Sequence, residues 1–181
     1  MKKKILNAYF IFAAIFLLSF ICSVTPAFSQ DDENVVNKYL KDKYEETYDA
    51  PFDKIWSIVQ TIVTDEGCQI VSDRVRELDD GMRKGICQSE LCILSQKADT
   101  VFIYMKNFAL KPPFIRGGVW DVFRCQSRFV VTEIDKNKTK VLITLDMSSF
   151  ESNATKKSYN FDTNGYREFL LFEKINELST K

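Results

Sequence analysis

The chain contains no histidine. That absence removes the Ser-His and Cys-His nucleophile pairs, histidine-ligated zinc and haem, and the usual general base near neutral pH. Glycine and proline are scarce, with six and four residues, so neither a collagenous nor a Gly/Pro-rich disordered chain is in view. There is no excess of either charge: 25 Lys and Arg face 25 Asp and Glu in 181 residues, and wholesale nucleic-acid binding is not expected of such a balance. Internal repeats and low-complexity tracts are lacking as well. What is present is globular in character, with 45% hydrophobic and 28% charged residues.

The apolar residues are not evenly spread. Met1-Lys2-Lys3-Lys4 is followed by an uncharged run from Ile5 to Val24 and then by Pro26-Ala27-Phe28-Ser29. A basic start, an apolar stretch and small residues at Ala27 and Ser29 match a secretory signal peptide over residues 1–29, cut after Ser29. An uncleaved anchor is the alternative, since the run is nearly long enough to span a bilayer. Lipid attachment at Cys22 is not expected, because bulky Ile21 stands where a small residue is needed. Cleavage leaves a chain of 152 residues with a net charge of −3, which buries roughly 70% of its unfolded surface. Residues 30–43 form an N-terminal lead with helical spacing at Val35, Val36, Tyr39 and Leu40, and 44–181 a single domain.

Four cysteines remain: Cys68, Cys87, Cys92 and Cys125. An even count in an exported chain suggests disulfides, but three connectivities are open. Buried free thiols are the alternative. The four-residue gap between Cys87 and Cys92 suits zinc, yet no second short-spaced pair exists. No metal or other cofactor is therefore expected.

Periodicity sets out the elements of the domain. Tyr44–Tyr48 alternates and reads as a strand. Pro51 opens a helix whose apolar face is Ile55, Val59, Ile62 and Val63, and Gly67 ends it. Strands are expected over Gln69–Val75, Arg83–Leu94 and Thr100–Phe108, with a turn at Leu78–Gly81. Trp120–Ile134 and a returning strand carrying Val141, Ile143, Leu145 and Met147 form a hairpin. Glu151–Asp162 reads as a polar loop. Thr163-Asn164-Gly165 caps a closing helix whose stripe is Phe169, Phe172, Ile175 and Leu178, widened by Tyr166, Leu170 and Leu171. The sum is an α+β domain: an antiparallel sheet of about six strands packed against one helix near the start and one at the end.

The segment Ala50-Pro51-Phe52-Asp53-Lys54-Ile55-Trp56, leading into an amphipathic helix, a meander and a C-terminal helix, resembles the helix-grip fold of START-like and polyketide-cyclase-like proteins. It is similar also to the helix-grip domains of BamC-like envelope proteins. The resemblance spans residues 44–180 in outline. It implies a sheet gripping a C-terminal helix, with Trp56 packing the first helix onto the sheet, and it implies no catalytic residues.

Paired acids occur at Asp31-Asp32-Glu33, Glu45-Glu46 and Asp79-Asp80, each in a terminal, strand or turn setting that reads as solvated charge. Gly117-Gly118 lacks the spacing of a phosphate loop. An enzyme is thus not expected. One segment stands apart. Phe102 to Phe129 holds seven aromatics in 28 residues, and Lys106 to Arg128 carries five cations against one acid, Asp121. Within it, Lys111-Pro-Pro-Phe-Ile-Arg-Gly-Gly-Val-Trp120 has the composition of a contact loop. Lys111, Arg116 and Arg124 would supply charge, and Phe114 and Trp120 an apolar anchor. The expectation is an exported, non-catalytic binding module of a bacterial cell envelope. It would meet an envelope protein or an anionic envelope component and no nucleic acid, with membrane contact only through an uncleaved signal segment. The alternative is a carrier holding a hydrophobic small molecule between sheet and C-terminal helix.

Overall fold

In the computed structural model, which describes residues 38–180, seven antiparallel strands form one sheet and three helices pack on it. The expected signal peptide and the start of the lead lie outside the described residues. From Lys38 to Lys43 the lead runs without helix. Among the described residues no helix is long and apolar enough to cross a membrane.

Strand β1 (Tyr44–Tyr48) leads into helix α1 (Phe52–Asp65). The apolar positions at spacings of three and four put Ile55, Val59, Ile62 and Val63 fully inside. Pro51 stands at the N-cap and its carbonyl accepts the Ile55 N–H. Gly67 follows the helix with φ +74°, which a glycine adopts without steric penalty. Strand β2 (Ile70–Glu77) turns at Leu78–Gly81 into β3 (Arg83–Ser89), and β4 (Cys92–Ser95) follows after a break. The span expected as one strand, Arg83–Leu94, is therefore two. Trp56 lies flat on β3 at Gly85, where any Cβ would overlap its ring.

Helix α2 (Ala98–Phe108) replaces the strand expected over Thr100–Phe108. The β-branched and aromatic residues raised the strand propensity, but burial follows the helical period. Val101, Met105 and Phe108 point inward at spacings of four and three, while Phe102 and Ile103 are half exposed. After the loop come β5 (Trp120–Asp135) and β6 (Lys138–Glu151), the long hairpin that anchors the sheet. A seventh strand, β7 (Lys157–Phe161), occupies the span expected as loop. It pairs with the end of β6 from Met147 to Glu151, and Phe161 is its one buried side chain.

Helix α3 (Tyr166–Ser179) closes the chain. Its cap forms as the sequence predicts: the Tyr166 N–H donates to Asn164 Oδ1 at 3.0 Å and the Gly165 N–H to Thr163 Oγ1 at 3.0 Å. Leu171, Phe172 and Ile175 are buried, but Phe169 and Leu170 are partly exposed. The stripe is rotated because Arg167 and Glu168 also turn inward. Arg167 donates to Glu66 at 2.8 Å and lies over the Phe108 ring. Phe169 instead meets Tyr39 of the lead, ring to ring at 4.9 Å.

The sheet order is β1-β6-β5-β3-β2, with β4 continuing along the β5 edge and β7 along the β6 edge. Alternation along β5 and β6 buries Phe123, Cys125, Phe129, Val131, Val141, Ile143 and Met147 on one face. All three helices contribute to the core on that face. Helices α1 and α3 run side by side, tied by Lys54 to the Ser179 carbonyl at one end and Glu66 to Arg167 at the other. Among the described residues the opposite face is uncovered.

Candidate contact loop

The loop from Ala109 to Val119 leaves α2 and enters β5. Its first residues are tied to the start of α3. The Leu110 N–H donates to the Asp162 carbonyl at 2.8 Å, and Asn164 donates from its backbone to the Phe108 carbonyl and from Nδ2 to the Asn107 carbonyl. Its last residues are held by the end of β6. Ser152 donates to the Val119 carbonyl at 2.9 Å and Asn153 Nδ2 to the Gly117 carbonyl at 2.9 Å. Gly117 has φ +72°, and the Gly118 N–H closes a turn on the Ile115 carbonyl. A short loop fixed at both ends presents its tip in one geometry.

Glu151 is the main brace. Its side chain is fully buried and accepts the N–H groups of Val119, Asn153, Ala154, Thr155 and Lys156 together with the Thr155 hydroxyl. Burial by itself would raise the pKa of this carboxyl. The Thr155 hydroxyl and the converging backbone donors outweigh it and hold the group well below the ordinary carboxylate range. A charged acceptor thus joins the β6–β7 turn to the end of the loop, a role that burial shows and sequence pattern alone does not.

The tip carries Phe114, 92% exposed. Two prolines precede it, and Ile115 beside it turns back against the core. Lys111 and Arg116 are exposed on either side of it in sequence and have no ion-pair partner among the described residues. Asp121, the one acid nearby, accepts instead from the Ser152 hydroxyl at 2.8 Å. Trp120 is not part of this surface: it is buried and meets Tyr159 edge-on at 5.5 Å. Its partner strand β7 was not legible as a strand, so nothing in the sequence showed what would cover the indole. Val119, 41% exposed, is the second apolar side chain of the loop. Arg124 stands within β5, opposite Ser148, on the uncovered face of the sheet.

The fold joins one pair of the four cysteines and leaves the other two as thiols, so none of the three two-bridge connectivities forms: Cys68–Cys92 ties the end of α1 to β4. Cys87 and Cys125 are buried free thiols. Burial pushes the Cys87 thiol up to about 12, with Asp73 adding to it. Burial also pushes Cys125 up to about 11, against an opposing pull from Arg167. Neither is a nucleophile near neutral pH. Among the described residues no cluster of three or more Cys, Asp or Glu side chains is placed to hold a metal ion.

Phe172 and Ile175 of α3 and Phe123 and Phe129 of the sheet are buried, at most 2% exposed. The largest cavity described, about 710 Å³, lies elsewhere, in the gap on the β6 edge between β1 and β7. Leu145, Asp146, Asn160 and Thr163 are among its walls, and Phe169 and Phe172 are not. Comparison with family models, curated proteins and solved structures finds no match.

Proposed function

We propose that the protein is an exported, non-catalytic binding module of the cell envelope that docks on a partner protein through the Lys111–Val119 loop. The observation that carries this reading is the near-complete exposure of Phe114 on a loop braced at both ends. An aromatic held outside the core in fixed geometry loses little conformational freedom on binding and offers a large apolar area. Lys111 and Arg116, without ion-pair partners among the described residues, add charge at the rim, where it steers association and sets specificity.

The test is partner capture from envelope extracts with four proteins: the parent, Phe114→Ser, Arg116→Glu and, as a surface control, Lys136→Gln. A partner retained by the parent and the control, and lost by both loop variants, is expected. Both loop variants should unfold within about 0.5 kcal/mol of the parent, as exposed substitutions do. If all four proteins retain the same partners at the same salt, the loop is ordinary surface and the reading fails.

A further inference from the structure

The uncovered face of the sheet has a charge pattern of its own. Strand alternation and register place Arg76, Lys84, Thr132 and Lys140 side by side in one row that crosses four strands. The next row along the strands is Arg74, Ile86, Val130, Leu142 and Glu45, and the row beyond it includes Gln88, Arg128 and Thr144. Neighbours within a row stand about 5 Å apart. Arg76 and Lys84 are direct cross-strand partners. Like charges so placed destabilise a sheet, and neither has an ion-pair partner among the described residues. Acids on this face are few: Glu45 lies 3.8 Å from Lys140, and Asp146 is further along β6.

The cations also line a concavity. A concavity of about 620 Å³ lies over β2 and β3, walled by Arg74, Arg76, Lys84 and Ile86 with Asp73 and Val75. The Asp73 carboxylate is engaged on the other side of the sheet, where it accepts from Gln60 of α1 at 2.8 Å. On this face the concavity is therefore cationic, with Ile86 as its apolar side chain.

We propose that this face binds an extended acidic polysaccharide lying across the strands. The rows decide the shape of the ligand. The cations Arg76, Lys84 and Lys140, with Thr132 among them, and the apolar positions Ile86, Val130 and Leu142 form rows perpendicular to the strands, so a chain crossing the sheet follows a mainly basic row with an apolar row beside it. A helix laid along the strands would meet mixed positions instead. The concavity admits a chain and opposes a flat bilayer. Single-stranded nucleic acid is disfavoured because these rows contain no aromatic side chain on which a base would stack. Guanidinium groups take carboxylate or sulfate in paired hydrogen bonds. Thr132, Gln88 and Thr144 lie on the same face for sugar hydroxyls. This site shares no residue with the loop, so the two readings stand or fall separately.

The test is binding of polygalacturonate and heparin by the full chain, with oligo-dT and phosphatidylglycerol vesicles as competing probes. Saturable binding of at least one polysaccharide that weakens with salt is expected. Arg76→Gln/Lys84→Gln should weaken it at least tenfold and reduce the salt dependence, while melting at or above the parent temperature because a like-charge pair is gone. Arg116→Glu and Lys136→Gln/Lys138→Gln should bind as the parent does. Absence of binding to both polysaccharides overturns the proposal. So does an unchanged affinity in the Arg76/Lys84 variant, equal loss in either control, or tighter binding of oligo-dT or vesicles.

Discussion

Glu151 shows how one buried side chain sets the geometry of a surface loop. Its carboxylate gathers five backbone N–H groups and a hydroxyl around the β6–β7 turn and the end of the contact loop. Its pKa is lowered in the fold. The stabilisation is therefore complete above the ordinary carboxylate value of 4.5 and is lost as pH falls from there toward the lower folded value. Glu151→Gln should melt below the parent at pH 7. It should also lose less stability than the parent on descent below pH 4.5, because it lacks the titrating group. Thermal melts of both proteins across that range check this, and parallel pH profiles would show that Glu151 does not act through its charge. The sequence marks Glu151 only as the first residue of a polar loop, since the six donors come from a turn and a loop that meet it only in the folded chain.

At the scale of elements, α3 completes the core. Phe172 and Ile175 are buried against α1 and the sheet, and their spacing of three made them legible as an inward stripe. Phe172→Ala should cost about 3–5 kcal/mol, the usual range for a core phenylalanine. Denaturant unfolding measures it, and a change below about 1 kcal/mol would show that the helix is loosely docked. The same helix shows the limit of pattern reading. Helical spacing predicts a stripe through Phe169 and Leu170, but Arg167 and Glu168 take inward places because the C-cap of α1 offers Glu66 and the cap of α3 offers Thr163. The sequence of α2 predicts a strand because Phe102 to Met105 is apolar on two alternating faces. Only the packing of Val101, Met105 and Phe108 on β5 chooses the helical period.

At the scale of the molecule, the single covalent cross-link among the described residues joins Cys68 to Cys92, 24 residues apart. Closing a loop of that length stabilises by about 3 kcal/mol, chiefly by restricting the unfolded chain. Cys68→Ser/Cys92→Ser should lose about that much in denaturant unfolding. Thiol titration of the chain from Gln30 onward, which leaves out Cys22, should find no reactive cysteine in the native protein and two, Cys87 and Cys125, after unfolding without reductant. Two reactive thiols in the native state would contradict their burial.

By itself the sequence determined the α+β class, the first helix with Pro51 and Gly67 at its ends, the β5–β6 hairpin, the cap of the last helix and the exposed loop around Phe114. Each rests on a short-range signal: a period, a turn residue or a cap within a few positions. Tertiary structure alone decided the rest. Which cysteines join, whether Trp120 faces in or out, that Lys157–Phe161 finds an edge of β6, and that Arg76, Lys84 and Lys140 line up across the strands all depend on residues far apart in the chain. Local propensity carries no record of such neighbours, because their interactions exist only once the strands are in register and the helices cover one face.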